Sequence, residues 1–241
     1  MAGVNPFDAG VVTFFNQFAR RSYAFDSLVR LASSYMFRVT GILALLWWAW
    51  FRERGDRARA REILASGMVA CLFSLAIART LALLLPFRQR PLREPSLHFV
   101  LPYGQDPNAL LGWSSFPSDH AAVYFTLATC LWFVSPLAGS AAIAWALLMT
   151  AFPRIYMGLH YPTDILGGAL LGVAVAYVAT LGGVRRVLSG WLIRWQTRHA
   201  GAFYAALFLY TFQLATAFDP LLDLFHYMRV VGAHAARMVQ R

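Results

Sequence analysis

The sequence predicts an all-α integral membrane protein, a six-helix transmembrane bundle with amphipathic terminal helices. Three observations predict it. Of 241 residues, 59% are hydrophobic and 13% charged, about half the ~25% charged fraction of soluble domains. Apolar runs at 35–51, 63–86, 120–135, 139–153, 165–184 and 201–218 each approach the roughly 17–25 residues a helix needs to cross a bilayer core. None alternates with a strand-like period, so the backbone polar groups are expected to be satisfied in helices rather than in a barrel. The chain divides into an interfacial helix at 1–34, a membrane domain at 35–218 and an amphipathic tail at 219–241.

From the N-terminus, residues 8–31 mix Val, Phe and Leu with Arg20, Arg21, Asp26 and Arg30 at helical spacing. They are too polar to span and suit one helix lying in the membrane interface. The first run should direct insertion itself, because no basic start, apolar core and small-residue cleavage site precedes it. Between the first two runs stand Arg52, Arg54, Arg57, Arg59 and Arg61, a cluster suited to a cytoplasmic loop facing anionic lipid. Net charge is +10 and all 21 basic residues are arginine. Nothing resembles a nucleic-acid reading motif, so the charge is assigned to the membrane rather than to nucleic acid. Cys71 and Cys130 fall inside apolar runs and read as small core residues. The long connection 87–117, rich in Pro and Gly, is of a length more often functional than idle. The fifth run opens with Pro162 in its first turn and carries Gly168 and Gly172, the spacing that lets membrane helices approach closely. If 52–62 is cytoplasmic, so are 136–139 and 185–199, and connections 87–117 and 154–164 share the opposite face.

Three polar clusters are expected on that face: "LPFRQRP" at 85–91, "FPSDHAAVYF" at 116–125 and "PRIYMGLHYPTD" at 153–164. His160 and Asp164 stand four apart across a helix start, so the carboxylate can hold one ring nitrogen and leave the other free to attack. The same two residues equally suit an interfacial histidine and an acid at a helix N-terminus. Ser118 is a natural N-cap with His120 in the first turn, where exposed N–H groups attract anions and the imidazole can protonate a leaving oxygen. The plain alternative is a capped helix with a surface histidine. Asp119 would repel a phosphate unless turned away or paired with an arginine. Arg88, Arg90 and Arg154 supply always-charged, bidentate donors for phosphate. The convergence of these groups is more telling than any one of them.

"FPSDH" and the pattern R-x5-H-x3-D over Arg154, His160 and Asp164 resemble the second and third signature motifs of the type 2 phosphatidic acid phosphatase superfamily. "RQRP" is similar to the end of the first, and the likeness covers roughly residues 79–184. It implies a six-helix membrane phosphatase that needs no metal or other cofactor and whose site faces outward. It further implies a phosphohistidine on His160, Asp164 as its orienter and His120 as general acid, with Arg90, Arg154 and N–H groups near Ser118 holding phosphate. Three departures stand out. Asp119 occupies the usual glycine position, a form similar to that of bacterial undecaprenyl pyrophosphate phosphatases. Pro153 replaces a serine that would bond phosphate. Leu83 stands where the family has lysine, a role that Arg79 or Arg88 is expected to take.

The expected function is hydrolysis of a lipid-linked diphosphate, undecaprenyl diphosphate first, at the outer face of a bacterial inner membrane. The alternatives are a phosphatase or phosphotransferase for phosphatidic acid, phosphatidylglycerol phosphate or lipid A, or a non-catalytic lipid-binding or transport protein on the same fold. Intact His120, His160 and Asp164 argue against the last, since binding alone needs no such pair.

Overall fold

A computed structural model describes residues 4–53 and 55–215, and over these the chain is helical without strands. Its helices are α1 (Pro6–Asn16), α2 (Tyr23–Ala32), α3 (Tyr35–Phe51), α4 (Arg57–Leu84), α5 (Asp119–Val134), α6 (Pro136–Ala146), α7 (Phe152–Tyr156), α8 (Pro162–Thr180), α9 (Gly182–Arg198) and α10 (Ala200–Ala215). The tail at 219–241 and the end of the sixth run lie outside the described residues, as does Arg54. Among those described, Arg57–Leu84, Pro136–Tyr156 and Pro162–Thr180 are long and apolar enough to cross a membrane. Taking α2 and α3 as one bent span makes up to four, while Asp119–Val134 and Ala200–Leu214 are shorter apolar helices.

Three expected boundaries need correction. The N-terminal region forms two helices, not one, because Ser22 caps a second start by accepting from the Phe25 N–H. Arg57, Arg59 and Arg61 belong to the opening of α4, where Asp56 is the N-cap and accepts from the Arg59 N–H. The basic connection 185–199 is largely helix α9, and Arg185 pairs with Glu62 at 3.1 Å across to α4.

The fourth run is longer than its apolar letters suggest. Ser135 caps α6 with Pro136 in the first turn, and the helical path continues through a π-helical turn at Leu147–Ala151 into α7. Pro153 cannot donate to the carbonyl four residues back. In the π-turn just before it, the Phe152 N–H instead reaches the Leu147 carbonyl, and such widened turns recur at functional sites. Arg154 emerges, buried, directly after it.

Helix α5 lies centrally against α3, α4, α6 and α8. Its Tyr124, Leu127 and Leu131 join Trp50, Leu64 and Phe203 in the largest apolar cluster. The α5–α8 crossing depends on the two glycines picked out in the sequence. A Cβ on Gly168 would collide with the Ser118 carbonyl, and one on Gly172 with that of Ala122. Thr126 Oγ1 donates to the Gly172 carbonyl at 3.2 Å and meets Ser74 Oγ at 2.7 Å, joining α4, α5 and α8.

Candidate active site

The starts of α5 and α8 meet the connection 85–118 and the end of α7 at one end of the bundle. Backbone bonds hold them there. The Ser118 N–H donates to the Asp164 carbonyl at 3.0 Å, Ser115 N–H to Arg88 at 3.0 Å, and Leu92 N–H to Gly158 at 3.0 Å. Gly158 has φ +69, and a Cβ on it would strike Phe99 and Leu92, so only glycine turns the chain here. The Leu159 and His160 N–H groups then both donate back to the Arg154 carbonyl, at 2.9 and 3.2 Å. That turn brings His160 beneath the connection. The two connections read as sharing a face are thus in contact.

His160 is 2% exposed. Its Nδ1 lies 2.9 Å from the Ser115 carbonyl and 3.6 Å from Asp164 Oδ2. A carbonyl only accepts, so Nδ1 carries the proton and Nε2 keeps its lone pair. The expected tautomer is present, but Ser115 holds it directly and Asp164 acts at longer range. Asp164 has other partners: its Oδ2 accepts from the Tyr161 N–H at 2.7 Å, and its Oδ1 from Arg88 at 2.5 Å. Burial pushes the His160 pKa below its ordinary value. Asp164 opposes that fall, while the charges of Arg90 and Arg154 add to it.

His120 forms a second histidine–aspartate pair that the sequence reading did not anticipate. Its Nδ1 stands 2.8 Å from Asp119 Oδ1, which also accepts from the His120 N–H at 2.8 Å. Asp119 Oδ2 faces Arg79 Nε at 3.5 Å, the arginine pairing that a carboxylate beside a phosphate requires. Ser118 caps α5 as expected, its Oγ accepting from the Ala121 N–H at 3.4 Å.

The arginines divide. Arg90 donates to the carbonyls of Trp113, Leu159 and Ser114, and burial lowers its pKa to about 10, which leaves it charged at neutral pH. Three of its five N–H donors are used and the rest remain for a ligand. Arg154 is 4% exposed and its Nε is buried without a partner among the described residues, within electrostatic reach of both His120 and His160. Arg88, expected as a phosphate clamp or lysine substitute, has carboxylate and hydroxyl partners of its own. Its guanidinium bonds Asp8, Asp164 and Thr163 and lies over the Tyr161 ring at 4.2 Å. Two carboxylates more than balance its charge.

Sequence reasoning missed Ser115, Asp8, Thr163 and Arg38. Asp8 looks like any acid at a helix start, and a backbone carbonyl such as that of Ser115 leaves no residue-type signal. Arg38 did leave one, as a lone arginine in the first apolar run. Its Nε is buried without a partner among the described residues, and its charge reaches His120 and Arg154. With Arg154 Nε, His120 Nε2, Thr150 Oγ1 and Ser115 Oγ, it makes five buried polar atoms near this end without a partner among the described residues. Unpaired buried polar groups are rare and call for an explanation. The two arginine Nε groups and the two hydroxyls can donate to an oxyanion with several lone pairs, and His120 Nε2 can do so when its ring is protonated. Among the described residues no group of three His, Cys, Asp or Glu could hold a metal ion.

Comparison with known families matches residues 87–187 to the PAP2 superfamily. The chain is 30% identical over 147 residues to "Putative undecaprenyl-diphosphatase YbjG" of Escherichia coli K12, covering 61% of this chain and 68% of that protein. It is 24% identical over 153 residues to undecaprenyl-diphosphatase BcrC of Bacillus subtilis 168, covering 64% and 72%. Lipid A 1-diphosphate synthase of E. coli K12 is 28% identical over 179 residues, covering 70% and 73%.

Proposed function

The chain belongs to the PAP2 superfamily, and from that premise we propose that it is a membrane phosphatase that hydrolyses undecaprenyl diphosphate to the monophosphate. The single observation that carries the reading is the convergence of unpartnered His120 Nε2 and Arg154 Nε beside a His160 whose tautomer leaves Nε2 to attack. Substrate choice follows the undecaprenyl-diphosphatase relatives and the Asp119 form of the second motif.

In this mechanism His160 Nε2 attacks the terminal phosphorus, a P–N bond forms and the bond to the bridging oxygen breaks. His120 protonates the departing lipid phosphate. Water then attacks the phosphohistidine while His120 takes its proton, and inorganic phosphate leaves. Arg90, Arg154 and Arg38 stabilise the equatorial oxygens with charge and N–H donors. Asp119 orients His120, Arg79 offsets the Asp119 charge, and Arg79 is the better candidate for the missing lysine now that Arg88 is engaged elsewhere.

The reading includes six crossings: α3, α4, α5, the α6–α7 path, α8 and α10. It places the site at the outer face of a bacterial inner membrane. Support comes from the basic residues of α9 and the start of α4, which lie at the ends of α4 and α8 away from the site and suit the cytoplasmic side. Arg20, Arg21, Arg30, Arg88, Arg90 and Arg93 stand on the site side as exceptions, and four of these bond partners there: Arg20 the Leu101 carbonyl at 2.8 Å, Arg93 the Pro107 and Ala109 carbonyls, and Arg88 and Arg90 the groups given above. A second reading, phosphotransfer to a lipid acceptor, is favoured only by the likeness to lipid A 1-diphosphate synthase.

Purified protein offered undecaprenyl diphosphate and phosphatidic acid in parallel, with chelator present, tests the assignment. Phosphate release should be metal-independent and favour the diphosphate by at least tenfold in kcat/KM. Preference for phosphatidic acid overturns the substrate, and no release from either overturns the activity.

A further inference from the structure

The N-terminal helices, read from sequence as an interfacial attachment, are bonded to the segments that carry the catalytic residues. Three buried polar side chains make the joins. Asp26 on α2 accepts from the Tyr103 N–H at 2.8 Å and from the Tyr156 hydroxyl. Asn16 at the end of α1 bonds the Val100 backbone in both directions, at 2.7 and 2.8 Å. Asp8 on α1 is 0% exposed. It accepts from the Thr163 N–H at 3.0 Å, from Thr163 Oγ1 at 2.5 Å and from Arg88 at 2.5 Å, and Asn5 donates to it at 2.6 Å.

Asp8 therefore shares Arg88 with Asp164, and Thr163 is the residue next to Asp164 in the first turn of α8. An arginine between two carboxylates is fixed in position, and the trio carries one net negative charge behind the Nδ1–H side of His160. When Nε2 bonds to phosphorus, positive charge develops on that ring, and a net negative group behind it favours the change. Arg88 paired with Asp164 alone would leave a neutral pair.

We propose that Asp8 is a positioning residue of the active site, acting through Arg88 and Thr163 to hold Asp164 and to keep the group behind His160 negative. Residue 8 lies outside the stretch matched to the family, 87–187, so the N-terminal helix completes the site of this chain. The proposal rests on His160 as nucleophile, and its test includes an arm that needs no turnover.

Charged groups facing His160 are Arg90 from the connection, Arg154 from α7 and Asp164 from α8, with Arg88 and Asp8 behind Asp164. Removing one negative charge disfavours imidazolium. Histidine NMR titration of the full chain in detergent should show the His160 pKa fall in Asp8→Asn by several tenths or more and return toward wild type in Asp8→Glu. Turnover in Asp8→Asn should fall about tenfold or more in kcat with KM within twofold. Asp8→Ser, which also removes the charge, should show the same fall in the His160 pKa if Asp8→Asn does not fold. An unchanged His160 titration in the folded variants overturns the proposal, as does a rise in KM with kcat unchanged. A shifted titration in a wild-type protein that releases no phosphate upholds the Asp8 coupling and overturns the phosphatase reading.

Discussion

Burial lowers the His160 pKa from an ordinary 6.5, Asp164 opposes this, and Arg90 and Arg154 deepen it. A nucleophile must be neutral, and a lowered pKa keeps it neutral to lower pH. The acid limb of log kcat/KM assigned to His160 should therefore lie below about 6.5. A limb for that group above the ordinary value would contradict the burial argument. At this scale the sequence disclosed the residues whose type is distinctive. Arg154, His160 and Asp164 stood out by spacing, His120 by its place after a helix cap and Arg90 through the likeness of "RQRP" to a family motif, and the structure brings them to one end of the bundle. Partners were less legible. Ser115 acts through its backbone carbonyl, and Asp119 turned out to face His120 on one oxygen and Arg79 on the other.

Helix packing sets the distance between the two halves of the site. Helices α5 and α8 touch at Gly168 and Gly172, where a Cβ would meet backbone carbonyl oxygens that cannot swing aside. Gly168→Ala and Gly172→Ala should each destabilise the protein by about 1–3 kcal/mol, the usual effect of overpacking, read as a lower midpoint of thermal unfolding in detergent. Gly168→Ala should lose more activity, because the carbonyl it displaces belongs to Ser118, the cap of the His120 helix. Unchanged midpoints in both would show that the contact is softer than its geometry. The small-residue spacing was readable because close approach demands glycine. The division of the N-terminus into α1 and α2 was less so, since both halves share one amphipathic period and only Ser22 marks the break. The extension of α4 back to Arg57 was hidden for a similar reason: a basic first turn reads as loop when hydropathy sets the boundary.

Across the whole molecule, composition made the membrane class legible and motif spacing made the site legible. The number of crossings was less so, because α5 has 16 residues, a length that spans only with help from neighbours or a thinned bilayer, and the end of the run that holds α10 lies outside the described residues. In the proposed mechanism a lipid diphosphate keeps its tail in the bilayer while its terminal phosphate reaches Arg90, Arg154, His120 and His160 at one end of the bundle. All of this depends on a covalent phosphoryl group passing through His160. The direct measurement is to incubate purified protein with substrate labelled in the terminal phosphate, quench in alkali, and map the protein-bound label. Label on His160 that is acid-labile, absent from His160→Ala and longer-lived in His120→Ala is the predicted result. Phosphate release by His160→Ala equal to wild type, with no label on either protein, would contradict it.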